Sequence, residues 1–394
     1  MSTKLLSALF AVVLGLTVSA AAYATPTDWP PPRVPRATPE GLACAMPRIW
    51  QSERVNQPYP RTPLAVDEHA VYTGSDHLYA LDKTTGAVLW RFEMPETDYE
   101  VALRRNGVNA LAVDKDTVYF GGYADMLYAV DKRTGQERWH RPILVIGEAF
   151  AMDDDRLYFS SEGKIFAVNK KTGEEIWSVK GAGTPVLMGD AVYAFDWKNI
   201  IALNRRSGEV LWRSQEMESN FSLGHSVPYA YQNQLMGYTN GNIMYSFDTR
   251  TGEQLWSIGE IGNSRARAMA GLGDTVLFYS PLGNLALFDI KQQQPVWGFT
   301  SSAGETLMPP AIYKGLILLG SDNDAMFVLD YATGQEVFRF ELVKRRAGIP
   351  INDEDVRAIR AVVVQDDVVY FTSVDGKIYA YKLDCPQLEG RTGF

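Results

Sequence analysis

The chain has 394 residues, 46% of them hydrophobic and 22% charged, with a formal net charge of −9. This composition predicts folded domains and excludes extensive disorder. The acidic excess excludes a general nucleic-acid binder, because a surface that follows phosphates needs excess basic charge. With four histidines and two cysteines, the chain also lacks the ligands of a zinc-cluster protein.

Residues 1–24 (MSTKLLSALFAVVLGLTVSAAAYA) are typical of a secretory signal peptide. Lys4 supplies a short positive region, Leu5 to Val18 form the apolar stretch, and Ala22-Tyr23-Ala24 is the cleavage site. A retained membrane anchor is the alternative, but the apolar run is short and a small-residue cleavage site follows it. We therefore expect a periplasmic or secreted protein after cleavage near Ala24. Since no later segment is long and apolar enough to span a bilayer, we do not expect an integral membrane protein.

Residues 25–46 predict a Pro-rich leader without a core of its own. Seven prolines fall between Thr25 and Pro47. A spacer is the expected role, and a Pro-rich docking ligand is the alternative.

One pattern recurs along the rest of the chain: an apolar strand, then Asp-x-x-Thr-Gly-x-x-x-Trp. Asp and Thr side chains accept hydrogen bonds from nearby backbone N–H groups, and Gly supplies a positive φ angle. Each copy therefore predicts a β-hairpin. The copies, two of them degenerate, are Leu78–Trp90, Leu127–Trp139, Ile165–Trp177, Ile200–Trp212, Met244–Trp256, Leu285–Trp297 and Met326–Phe338.

A further strand precedes each hairpin, and a shorter apolar strand precedes that one. The second strands are 70–75, 117–122, 156–161, 191–196, 234–239, 275–280, 316–321 and 368–373. Four strands in every forty or so residues predict the blade of a β-propeller. The expected fold is all-β, an eight-bladed β-propeller with four-stranded antiparallel blades.

The eighth copy, Lys377–Lys382, ends before its tryptophan. Pro47-Arg48-Ile49-Trp50 matches the missing ending, so we expect the N-terminal strand to close the last blade. The propeller then spans 47–384, and residues 385–394 form a C-terminal tail.

The two cysteines bear on this closure. Counted along the repeat, Cys44 and Cys385 both fall at the tip of the one hairpin that the chain termini interrupt. A disulfide there would join the two ends of the propeller in an oxidising compartment. Two free, buried thiols are the alternative.

The hairpin motif resembles the tryptophan-docking repeat of the quinoprotein-like (PQQ-like) propellers, over nearly the whole mature chain. One branch of that group contains quinone- and calcium-dependent alcohol and sugar dehydrogenases. Another contains non-catalytic periplasmic propellers, among which the outer-membrane-protein assembly factor B family is closest in length and blade number. The resemblance implies a non-catalytic protein-binding scaffold in outer-membrane or envelope protein assembly. A PQQ-dependent dehydrogenase or a small-ligand-binding propeller is the alternative.

The residues themselves favour the scaffold. Dehydrogenases of this group often have adjacent cysteines and a calcium site, whereas the two cysteines here are far apart. Asp153–Asp155 and Asp353–Asp355 are the densest acidic runs, but neither has the alternating spacing that surrounds calcium, and the first is expected to form a turn. We therefore predict no catalytic residues, no metal and no cofactor, with PQQ and calcium only under the alternative. Seven tryptophans at the repeat position are predicted to pack between blades, and Trp29 and Trp197 stay unassigned.

Two blade-to-blade connections, Glu93–Asn106 and Glu341–Arg357, are long enough to predict a functional role. Arginines cluster in or beside such connections and suit an anionic or carboxylate-rich partner, since a guanidinium pairs with a carboxylate through two hydrogen bonds. Ordinary solvated charge is the alternative, because acidic residues occur in the same loops. The candidates are Arg104, Arg105, Arg265, Arg267, Arg345, Arg346, Arg357 and Arg360.

The segment Phe221–Pro228 is similar to the assembly-factor loop that docks on the barrel-insertase subunit. It differs from that loop in lacking the Arg-Gly-Glu stretch, and His225 follows the glycine instead. On the basis of the similarity, Phe221, Leu223 and His225 are further candidates for partner binding. The expected partner is another envelope protein or complex subunit, and the expected state is a monomer.

Overall fold

The structure is a computed structural model. It describes residues 44–55, 63–94, 108–122, 126–145, 149–217, 229–239, 243–259, 268–280, 283–301, 308–322, 325–342 and 358–385. Within these ranges the chain forms thirty-two β-strands, which confirms the predicted all-β class. None of the described segments forms a helix that could cross a membrane. The predicted signal peptide, most of the leader and most of the tail lie outside the described residues.

The first strand of the chain is β1 (Arg48–Gln51). Blades 1 to 3 then follow in chain order. Their strands are β2 (Leu64–Val66), β3 (Ala70–Gly74), β4 (His77–Asp82), β5 (Val88–Glu93), β6 (Val108–Val113), β7 (Thr117–Gly122), β8 (Met126–Asp131), β9 (Glu137–Pro142), β10 (Ala151–Met152), β11 (Arg156–Ser161), β12 (Lys164–Asn169) and β13 (Glu175–Lys180).

Blades 4 to 6 repeat the arrangement. Their strands are β14 (Ala182–Met188), β15 (Ala191–Asp196), β16 (Asn199–Asn204), β17 (Val210–Arg213), β18 (Tyr229–Tyr231), β19 (Gln234–Tyr238), β20 (Met244–Asp248), β21 (Gln254–Ile258), β22 (Ala268–Leu272), β23 (Thr275–Ser280), β24 (Asn284–Asp289) and β25 (Gln294–Thr300).

Blades 7 and 8 complete the ring. Their strands are β26 (Ala311–Tyr313), β27 (Leu316–Gly320), β28 (Ala325–Asp330), β29 (Glu336–Glu341), β30 (Ile359–Gln365), β31 (Val368–Ser373) and β32 (Ile378–Lys382). The strands form eight four-stranded antiparallel sheets, seven of them from consecutive strands and one in the order β1-β32-β31-β30. The predicted eight-bladed propeller, closed by the N-terminal strand, is confirmed.

The apolar core lies between blades. Second and third strands are almost wholly buried because both of their faces pack against neighbouring sheets. Tyr72 and Trp90 of blade 1, for example, share one cluster with Phe120 and Tyr128 of blade 2. A blade therefore cannot bury its apolar surface without the next blade.

Six outer-strand tryptophans dock on the hairpin of the following blade through the same hydrogen bond. Trp90 Nε1 donates a hydrogen bond of 2.9 Å to the backbone oxygen of Lys132. Its ring lies against Gly135, where an added Cβ would come within 2.7 Å of Trp90 Cε3. The same indole-to-carbonyl bond joins Trp50 to Lys83, Trp139 to Lys170, Trp177 to Arg205, Trp212 to Thr249 and Trp297 to Tyr331. The predicted packing role of these tryptophans is confirmed.

The blade 6 hairpin departs from this pattern. Gln293 occupies the glycine position and adopts a φ of +53°, which a residue with a side chain rarely adopts. The preceding tryptophan, Trp256, donates instead to Oε1 of Gln234 in its own blade, at 3.1 Å. The degenerate repeat therefore keeps its hairpin but changes the indole contact.

Every outer strand has a β-bulge one residue before its aromatic position. In blade 1, Ala80 faces Trp90 and Leu81 faces Val88, so Leu89 is the inserted residue. The same shift occurs in the seven other blades. A bulge interrupts the edge that another strand could pair with, so it protects eight exposed edge strands from association.

The chain ends meet at blade 8. Ala45 and Asp384 exchange backbone hydrogen bonds of 2.7 and 2.9 Å. The sulfur atoms of Cys44 and Cys385, 341 residues apart in sequence, lie at disulfide distance, 2.14 Å. Among the residues packed around Cys385 is Val337 of blade 7.

The docking contact predicts a specific cost of adding one methyl group. Gly135→Ala should lower the free energy of unfolding by about 2–4 kcal/mol, because a clash with Trp90 adds to the strain of a positive φ. Gly163→Ala is the matched control: Gly163 also has a positive φ, +75°, but an added Cβ would meet nothing within 4 Å. The control should cost only about 1 kcal/mol of backbone strain. Urea unfolding measures both, and equal losses would contradict the docking account.

The closure predicts one linked cysteine pair. Peptide mapping of the mature protein without reductant should recover Cys44 joined to Cys385. The double variant Cys44→Ser/Cys385→Ser should lose about 2–5 kcal/mol, because the bond restricts the unfolded chain. Alkylation of both cysteines in the native, unreduced protein would show that the bond does not form.

Candidate partner-binding face

The order of strands gives the propeller two different faces. In an antiparallel blade, the turns between strands one and two and between strands three and four lie at one end. We call this end, with its Asp-x-x-Thr-Gly turns, the hairpin face. The turns between strands two and three and the blade-to-blade connections belong to the other end, which we call the loop-bearing face.

Four lysines on the hairpin face are bound to aspartates of neighbouring blades. Lys132 Nζ of blade 2 lies 3.0 Å from Asp67 Oδ2 of blade 1, with both side chains largely buried. Burial raises the pKa of Asp67, but hydrogen bonds from His69, Ala70, Lys132 and Tyr72 outweigh it and hold the pKa below its ordinary value. Similar interblade pairs are Lys83–Asp366, Lys170–Asp114 and Lys314–Asp367. These charges stabilise the contacts between blades and are not available to a partner.

The acidic run at Asp153–Asp155 forms the turn between β10 and β11. Asp153 Oδ1 accepts hydrogen bonds from the backbone N–H of Asp155 and Arg156, at 3.0 and 2.8 Å. The predicted turn is confirmed. Among the described residues no three His, Cys, Asp or Glu side chains are grouped as metal ligands would be. The second acidic run, Asp353–Asp355, lies outside the described residues.

Ten of the eleven candidate partner-binding residues also lie outside the described residues, so their placement stays a prediction. They belong to segments that join β5 to β6, β17 to β18, β21 to β22 and β29 to β30. These residues are Arg104, Arg105, Phe221, Leu223, His225, Arg265, Arg267, Arg345, Arg346 and Arg357.

Arg360, the eleventh candidate, is described, and it is not an exposed loop residue. It lies on β30 near the loop-bearing end of that strand, and its Nη1 is 3.9 Å from Met308 Sδ. Its Nε is buried and has no hydrogen-bond partner among the described residues. Burial lowers the pKa of Arg360, and the nearby charge of Asp322 partly opposes that effect. Arg360 therefore packs between blades 7 and 8, at the end of β30 that lies on the loop-bearing face.

The structure draws attention to a residue that the sequence left unassigned. Trp197 lies at the tip of the two-residue turn between β15 and β16 on the loop-bearing face, where Asp196 faces Asn199. It is 57% exposed and has a φ of +55°. The signal in the sequence was the spacing: only Trp197 and Lys198 separate the strands AVYAFD and NIIALN.

Charged side chains surround the base of this turn. Asp196 is buried and pairs with Arg213 of β17, and the Lys180 ammonium of blade 3 lies 3.9 Å from its other oxygen. Lys180 faces Lys164 across β12 and β13. The turn that carries the exposed indole therefore has Arg213 and Lys180 at its base, with Lys164 opposite Lys180.

Comparison with known proteins agrees with the architecture. A family model described as outer membrane protein assembly factor BamB matches residues 48–149, 161–307 and 282–385. The BamB of Shewanella oneidensis is 21% identical over 325 residues, which cover 76% of this chain and 78% of that protein. The crystal structure of BamB from Moraxella catarrhalis superposes with a TM-score of 0.66 at 16% identity, covering 86% of this chain and 98% of that one.

A quinoprotein also matches, over a smaller region. The quinoprotein alcohol dehydrogenase PedH of Pseudomonas putida is 29% identical over 123 residues, which cover 29% of this chain and 19% of that protein. The family match, by contrast, extends over nearly the whole propeller. The chain therefore belongs to the outer membrane protein assembly factor BamB family of β-propellers.

Proposed function

We propose that this protein is exported to the periplasm and acts there as a non-catalytic scaffold that binds another envelope protein during outer-membrane protein assembly. The observation that carries the proposal is the extent of the match: BamB of Shewanella oneidensis aligns over three quarters of both chains. The signal-peptide pattern of residues 1–24 supports export. The partner is a carboxylate-bearing protein surface, and nucleic acid is disfavoured by the charge of −9.

The interblade role of several hairpin-face lysines supports binding at the loop-bearing face. On the hairpin face, Lys83, Lys132 and Lys170 are engaged with aspartates of neighbouring blades. A partner that bound these lysines would have to displace ion pairs that hold blades together. The predicted arginine candidates fall in or beside connections between blades, and loops on a rigid scaffold are common binding elements.

A quinoprotein dehydrogenase is the second candidate, because the PedH match is 29% identical. The residues present do not fit that chemistry in the described part of the chain. No cluster of calcium-type ligands occurs there, and both cysteines lie at the closure of blade 8. The PedH match extends over 123 residues, which is the length of about three blades. A repeat shared by the two proteins is enough to explain a match of this length.

The scaffold proposal predicts that charge reversal on the loop-bearing face weakens capture. Arg345→Glu/Arg346→Glu should reduce recovery of the partner from a crosslinked envelope fraction by about five- to tenfold, since rim charges steer association. The melting temperature should change by no more than about 1–2 °C, because exposed loop charges contribute little to folding.

The matched control reverses two exposed arginines on the hairpin face, Arg133→Glu/Arg206→Glu. Lys132 is unsuitable because its ion pair with Asp67 joins two blades. Loss of capture in this control, with capture intact in the Arg345/Arg346 variant, would place the partner on the other face.

The enzyme candidate is tested separately with added PQQ and calcium. The scaffold proposal expects no shift of the quinone absorbance and no dye-linked oxidation of alcohols or aldoses. Calcium-dependent turnover would overturn it.

A further inference from the structure

We propose that Trp197, with Lys180 and Lys198, forms a docking site for an acidic segment of the partner that inserts an apolar side chain beside the indole. The site deepens the proposed function by naming the chemistry that the loop-bearing face recognises, and it rests on that function.

The backbone at Trp197 is unfavourable for the residue it holds. Its φ of +55° lies in the left-handed region, and the flanking pair Asp196–Asn199 defines a two-residue hairpin. Such turns favour Asn, Asp or Gly, and a left-handed residue with a Cβ costs about 1–2 kcal/mol. In the equivalent turn of blade 3, Glu162 holds the same position with a φ of +46°, and Gly163 follows it. A tryptophan here breaks the local preference, and strained positions of this kind cluster at functional sites.

The indole gains little packing energy in return, because more than half of its surface is exposed. At 57% exposure it is the most exposed large hydrophobic residue that the structure describes. The eight others in that class all belong to the outer edges of blades, on β1, β5, β13, β17, β21 and β25. Trp197 is therefore the one aromatic residue among them and the one at a turn. Tryptophan is the residue type most enriched at the centres of protein interfaces.

The exposed charges around Trp197 favour an acidic partner segment. Lys180 is 76% exposed, and Lys164 and Lys198 are exposed beside it. The nearby carboxylates are Glu162, Glu216 and Asp196, but Asp196 is buried and already paired with Arg213. An indole face attracts cations, yet a cationic partner would meet these lysines, so the favoured occupant is acidic with an apolar group for the ring.

Two hydrogen bonds to the segment after β17 fix the position of the turn. The backbone N–H of Met217 donates to the Lys198 oxygen at 2.9 Å, and Asn199 Nδ2 donates to the Ser214 oxygen at 2.9 Å. A fixed anchor loses less conformational entropy on binding than a free one. Met217 also directly precedes the segment 218–228, which contains the predicted candidates Phe221, Leu223 and His225.

The test uses Trp197→Gly in the full chain. Glycine removes the indole and accepts the positive φ, so the variant should be as stable as the parent or more stable by about 0.5–1 kcal/mol. Binding is measured by fluorescence anisotropy with three labelled peptides of equal length: acidic with a central Leu-Phe pair, acidic with a central Gly-Ser pair, and basic with the Leu-Phe pair.

We expect the acidic Leu-Phe peptide to bind the parent more tightly than the other two. Its affinity should fall at least about tenfold in Trp197→Gly and about fivefold in Lys180→Glu/Lys198→Glu, with binding weakened by salt. Gln293→Gly is the matched control, because it relieves the same kind of left-handed residue on the hairpin face. It should leave peptide binding unchanged.

Equal binding of all three peptides, or full affinity in Trp197→Gly, would overturn the inference. Capture of the envelope partner by the same variants separates the two proposals. If Trp197→Gly still captures the partner and the peptide result is negative, the scaffold function stands and this docking site is wrong. If no variant and no parent protein captures a partner, the scaffold function itself fails.

Discussion

The structure depends on the contact between an outer-strand tryptophan and the hairpin of the next blade. The indole N–H needs an acceptor, and the first residue after the repeat aspartate supplies a backbone oxygen, as Lys132 does for Trp90. The ring needs a flat surface, and only a glycine such as Gly135 leaves room for it. That glycine also has the positive φ that the turn requires, so one residue meets a conformational and a steric demand together. Repetition of this contact joins six of the eight pairs of neighbouring blades.

The junction between blades 7 and 8 shows what replaces the contact when it is missing. The outer strand of blade 7 has Phe338 at the tryptophan position, and a phenyl ring has no N–H to donate. The blade 8 hairpin is interrupted by the chain termini. The cysteine pair and the backbone bonds between Ala45 and Asp384 lie at this junction. Here the bulge residue Val337 is buried, whereas its counterpart Leu89 in blade 1 is half exposed. At this junction a covalent link and a local apolar cluster take the place of the indole contact.

The sequence predicted the architecture well because each repeat encodes its own turn chemistry and its own docking residue. Blade number, strand order, N-terminal closure and the packing of the tryptophans all followed from that periodicity. The bulge before each aromatic position was not predicted. In a bulge two residues of one strand oppose a single residue of the next, and this pairing requires no particular residue type that would mark it in the sequence. The altered contact of Trp256 was also missed, because its acceptor is a side chain, Gln234, and not the repeat carbonyl.

The candidate site was harder to predict for a physical reason. Charges look alike in sequence whether they are solvated, paired or available, and Lys132 proved to be held between blades. Arg360 proved to be half-buried and not part of an exposed loop. Trp197 follows no repeat position, so only its place at a two-residue turn with a positive φ separates it from a packing tryptophan.

The central claim is that the loop-bearing face binds the partner and the hairpin face holds the ring together. Hydrogen exchange of the full chain, free and bound to its captured envelope partner, tests this most directly. The account predicts slower exchange on binding at the β15–β16 turn and at the starts of the first strands, with no change at the Asp-x-x-Thr-Gly turns. Protection confined to those turns, with Trp197 and its neighbours unaffected, would contradict it.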